Sequence, residues 1–112
     1  MNYIPASMVT TAITLDGFRI VQTVGIVRGL VCRSRSVVGN FVAGLQMFFG
    51  GNITLYTELC EQARTDAYER MTQHAKELGA NAVIGVRYDA TEIVDGVTEV
   101  LCYGTGVKVS PL

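Results

Sequence analysis

The sequence predicts an α+β domain, a four-stranded and mainly antiparallel sheet carrying one long and one short helix. Three observations lead there. Two Asp-Gly pairs, Asp16-Gly17 and Asp95-Gly96, each sit between runs rich in β-branched residues, the signature of a hairpin. A long stretch of helical periodicity stops at Gly79 and passes directly into an alternating strand pattern. That helix has a single apolar face, so it can cover only one face of a sheet.

Taken in order, Thr10 to Leu15 reads as a short first strand closed by Asp16-Gly17. Phe18 to Val31 follows as a second, with Gly25 and Gly29 marking bends or bulges. A basic turn, Arg33-Ser34-Arg35-Ser36, places Ser36 as the N-cap of a short helix from Val37 to Phe49. Its apolar residues, including Phe41, Leu45 and Phe48, keep helical spacing, and no charge appears on its other side. Gly50-Gly51 ends it, and Asn52 or Thr54 can cap the long helix running to Leu78.

On that helix Tyr56, Cys60, Ala63, Ala67, Met71, His74 and Leu78 share a stripe, while Glu58, Thr65, Glu69, Thr72 and Lys76 lie opposite. Asn81 to Thr91 is the third strand, with Ala82, Ile84, Val86 and Tyr88 on one side. Asp95-Gly96 turns the chain into the fourth, Val97 to Val109. The predicted strand order is 1-2-4-3, because a right-handed strand–helix–strand crossover lets strands two and three flank the fourth.

One domain spans residues 1–112, and charged residues are only 17% of it, with mean hydropathy +0.33. So little charge calls for burial in a membrane or between subunits. The longest charge-free stretch, Ser36 to Leu55, is broken by glycines and asparagines and lacks the roughly 20 consecutive apolar residues of a spanning helix. No secretory leader pattern opens the chain, so cytoplasmic residence is the expectation. Net charge of -1 and a pI near 5.7 offer no footprint for nucleic acid.

The soft-ligand inventory is Cys32, Cys60, Cys102 and His74, without a CxxC pair. Cys60 and His74 share the helix stripe but are fourteen residues, about 21 Å, apart along its axis. Ligand spacing therefore does not support a metal site from Cys60, His74 and Cys102, and buried structural thiols with a hydrogen-bonded histidine are the simpler reading. Cys60 has no identifiable base beside it. Asp89, Glu92 and Asp95 flank a hairpin turn, where solvated carboxylates are ordinary. Arg28, Arg33 and Arg35 gather three guanidiniums near the start of the short helix, a candidate anion site. Arg64, at the edge of the packed stripe, needs a partner such as Glu61 or Asp89. No nucleophile, base and orienting acid assemble, so an enzyme is not expected.

The stretch from Gly50-Gly51 through Tyr56, the Ala63-Arg64 pair and Leu78-Gly79-Ala80 into Ala82-Val83-Ile84-Gly85, with the terminal YGTGVKV, resembles the YbjQ-like family. These are small bacterial proteins labelled as candidate heavy-metal-binding domains. The resemblance implies a dodecin-like subunit closing into a homo-oligomeric ring of five. It makes a non-enzymatic assembly the expected function, with a small ligand or metal ion at subunit interfaces or in the channel. Arg28, Arg33, Arg35, Arg64 and Asp89 are the ligand candidates, and Phe41, Leu45 and Phe48 the interface anchors. The alternative is a purely structural or interaction assembly.

Overall fold

A computed structural model describes residues 3–34 and 53–112. Among them a single-turn 3-10 segment, Ala6–Met8, precedes strand β1 (Phe18–Ser34), helix α1 (Ile53–Glu77), strand β2 (Ala82–Val94) and strand β3 (Val97–Pro111). The sheet has three strands in the order β1-β3-β2, with β3 antiparallel to both neighbours. β1 and β2 therefore run parallel on either side of β3, which is the crossover predicted for the second, fourth and third strands.

The predicted first strand, Thr10 to Leu15, is not one. Residues 11–14 are bends, and the segment touches β2 through an isolated parallel bridge, Val9 to Val83. Three backbone hydrogen bonds, from Thr10 N–H to the Val83 carbonyl, Gly85 N–H to Ala12 and Val86 N–H to Thr10, lay it along the outer edge of β2. It then crosses the end of the sheet and turns at Asp16-Gly17 into β1. Leu15 and Phe18 pack there against Ala82, Val107 and Val109. The turn was legible; its partner strand lies on the opposite edge. β1 also continues past Val31, so Arg33 and Ser34 belong to a strand rather than a turn. The predicted short helix, Val37 to Phe49, lies outside the described residues.

α1 lies across β1 and β3. Its packed ridge is Ala63, Ala67, Met71 and Ala75, at four-residue intervals, all buried. The predicted stripe was rotated slightly: Cys60 and Leu78 are exposed, and Thr72, expected on the wet side, is buried with its hydroxyl donating to the Glu69 carbonyl. The N-terminal arm accounts for Thr72, because Tyr3 and Ile4 form one cleft with it and Tyr68. Close approach is made possible by Gly29 of β1, where a Cβ would collide with the Ala67 carbonyl and the Met71 amide. The core formed this way holds Val27, Val31, Ala67, Met71, Ala75, Val83, Val86 and Cys102.

The helix ends by a Schellman pair: Ala80 N–H reaches the Ala75 carbonyl and Gly79 N–H the Lys76 carbonyl, with Gly79 at φ +90°. Asn81 then extends the sheet with its side chain, accepting from Val109 N–H at 2.8 Å and donating to the Val109 carbonyl at 3.0 Å. No helix among the described residues is long and apolar enough to cross a membrane.

Candidate functional site

α1 and β3 bring two sulfur atoms together in the core. Met71 stands on the packed ridge of α1, and Cys102 on the helix-facing side of β3, next to Gly104; both are fully buried. The Cys102 thiol donates to the Met71 thioether, Sγ to Sδ 3.5 Å. Cys102 is paired in register with Tyr88 on β2, which sets the Tyr88 side chain beside its sulfur on the same side of the sheet. The Arg64 guanidinium of α1 lies 5.8 Å from the centre of the Tyr88 ring.

The electrostatics follow from burial. Loss of water pushes the Cys102 thiol up, and the neighbouring Tyr88 hydroxyl partly offsets that. Tyr88 is pushed up to about 12, first by burial and then by Cys102. Tyr68, also near Cys102, is raised by burial first and then by the thiol. A raised thiol is a poor nucleophile at neutral pH. The result is a thiol–thioether contact, S–H to Sδ, inside an apolar layer, with the exposed Tyr88 at its edge.

The predicted ligand residues are not gathered. Arg28 points away from α1, since its neighbours Val27 and Gly29 are buried against the helix, and its amide N–H donates to His74 Nδ1 at 3.1 Å. Arg33 turns the other way and pairs with Asp66 of α1 at 2.9 Å. Arg64 takes the Tyr88 ring as its partner instead of the carboxylates expected of it. Asp89 lies on the outer face, where its carboxylate raises the pKa of the nearby Tyr103 hydroxyl. Arg35, Phe41, Leu45 and Phe48 lie outside the described residues.

The three candidate metal ligands are also apart. Cys60 is exposed on α1, His74 is half-buried and spends Nδ1 on the Arg28 amide, and Cys102 is in the core. The expectation of three buried thiols fails for Cys32 and Cys60, both exposed. Among the described residues no three His, Cys, Asp or Glu side chains come together to hold a metal ion. A four-ligand zinc site therefore does not fit, whereas the Cys102–Met71 pair is a soft, two-sulfur donor set.

Met71 and Tyr88 were the partners the sequence reading missed. Met71 was on the correct helix stripe. Tyr88 was assigned the wrong neighbours because Gly85, at φ +63°, sits in a register shift between Ile84 and Arg87. That shift brings Val83, Val86 and Tyr88 to the helix side. A glycine inside a strand pattern was the available signal.

Among the described residues, one helix laid on one face of an antiparallel sheet, with a sulfur pair in the core between them, defines a small α+β protein. The chain belongs to the YbjQ family, described as "Putative heavy-metal-binding", whose match covers residues 7–110. A UPF0145 protein of Chromobacterium violaceum is 63% identical over 109 residues, 97% of this chain and 93% of its own. One from Burkholderia thailandensis is 61% identical over 101 residues, 90% of this chain and 91% of its own. Neither name states a reaction. A crystal structure of a Pediococcus pentosaceus protein of unknown function, from the DUF74 family, superposes with a TM-score of 0.59. It covers 91% of this chain and 96% of its own at 17% identity, a likeness of fold.

Proposed function

We propose that the protein is a non-enzymatic homo-oligomer, a ring of five subunits in the cytoplasm, that binds a small ligand or metal ion. The observation that carries the assembly is the shape of the sheet. The structure measures 54 × 28 × 23 Å with a radius of gyration of 17.0 Å, against about 13 Å for a compact domain near this size. The excess comes from strands running beyond the reach of α1. From Tyr88 to Asp95 every residue of the hairpin arm is exposed, Ile93 and Val94 among them. On β1, Ile26 is 75% exposed and Leu30 points outward beside it.

A sheet left this bare is suited to burial against copies of itself, which also removes free edges. Sparse charge supports the same reading, and the number five comes from the family resemblance. Non-enzymatic character is supported by His74, whose Nδ1 is occupied by a backbone amide, and by the raised Cys102 thiol. Three free cysteines suit a reducing compartment. Light scattering at low micromolar concentration should report about five subunit masses. A folded species at the 12.1 kDa subunit mass would overturn the assembly. Native mass spectrometry on protein purified without an affinity metal tests the ligand, and a ring carrying no ion or organic mass speaks for a purely structural assembly.

A further inference from the structure

We propose that Cys102 and Met71 form a two-sulfur site for a soft monovalent cation of the Cu(I) or Ag(I) type. The inference rests on the ligand-binding half of the reading above and is independent of the ring. Its basis is the buried contact between Sγ and Sδ at 3.5 Å, with Tyr88 in register beside Cys102 on the neighbouring strand. Thiolate and thioether are the donors that select Cu(I) over harder ions.

Charge decides between a monovalent and a divalent guest. When a monovalent cation replaces the thiol proton, the S–H bond breaks, an M–S bond forms, and one proton leaves to solvent. The buried unit is neutral before and after. A divalent ion would leave one uncompensated positive charge among Val83, Val86, Ala67 and Ala75, which the apolar layer penalises heavily. Zinc would in addition want four ligands.

The surrounding residues suit the exchange. Tyr88 stands in register beside Cys102, and a phenolic hydroxyl near the sulfur favours the thiolate once the proton has gone. Met71 has three rotatable side-chain bonds and can adjust its sulfur without moving α1. Tyr88 is 41% exposed, so the route from water to Cys102 runs along its ring.

The test uses the full chain carrying Cys32→Ser and Cys60→Ser, which leaves Cys102 as its single thiol, with Ag(I) as the probe. Expected are one Ag(I) per chain by native mass spectrometry, a sulfur-to-metal absorption band, and release of one proton per ion. Met71→Leu, close in volume, should weaken binding at least tenfold while the thermal melt stays near that of the parent, and Cys102→Ala should abolish it. Zn(II) should not compete. The proposal is overturned if the two-serine protein takes up no Ag(I), if Met71→Leu binds unchanged, or if Zn(II) displaces Ag(I). Should Cys102→Ala fail to fold, Met71→Leu alone decides. Stoichiometric Ag(I) on a 12.1 kDa monomer would sink the ring and leave this site standing; a ring without Ag(I) would do the reverse.

Discussion

Gly29 has no side chain because the backbone of α1 occupies that space. A methyl group there would meet the Ala67 carbonyl and the Met71 amide, neither of which can swing aside as a side-chain end could. Gly29→Ala should therefore cost about 3 kcal/mol in urea unfolding, near the upper end for overpacking. Thr65→Ala on the exposed face of α1 should move the midpoint little. Tyr88 makes a second residue-scale prediction. Its pKa is raised from 10.0 to about 12 in the folded protein. Between those values the unfolded chain gives up the phenolic proton first, so stability present below pH 10 falls as pH rises toward 12. Thermal melts across that range should decline, and Tyr88→Phe should decline less. An identical slope in the two proteins would assign the loss to other tyrosines.

At the scale of elements, α1 and the β2–β3 hairpin could be read from sequence because their signals are local. Gly79 ends the helix through its own positive φ, and Asp95-Gly96 turns the hairpin with Gly96 N–H donating to the Glu92 carboxylate. Gly79→Ala would force a Cβ into the left-handed region and should cost about 1–2 kcal/mol, read as a lower melting temperature. Long-range choices were less legible. Thr10–Leu15 has the composition of a hairpin strand, yet the edge of β2 accepts its amides and carbonyls instead. Strict alternation along β2 fails at one glycine, and with it the sequence's view of which side Tyr88 takes. The candidate site suffered most. Cys102 was visible as a thiol, but its partner lies 31 residues away on another element, and no spacing rule links them.

At the scale of the molecule, the bare sheet face makes a further prediction. Ile26→Lys should lower the assembled mass without changing the far-ultraviolet spectrum of the subunit, because the side chain contributes little to its own core. An unchanged mass would place the subunit contacts elsewhere. The strand order has a consequence for how the protein is made. Among the described residues β3 is the middle strand, hydrogen-bonded to both others, yet it leaves the ribosome last of the three. β1 closes against it over a long span of chain, from Ser34 with Val97 to Phe18 with Pro111. Until residues near 110 have emerged, neither β1 nor β2 has its partner, and α1 has no finished surface to rest on. The sheet therefore forms after translation has passed its last strand, slowly for a chain of this size because loop closure comes before its reward. In that interval β1, seventeen residues of bare backbone, is what a chaperone or an aggregate would meet first.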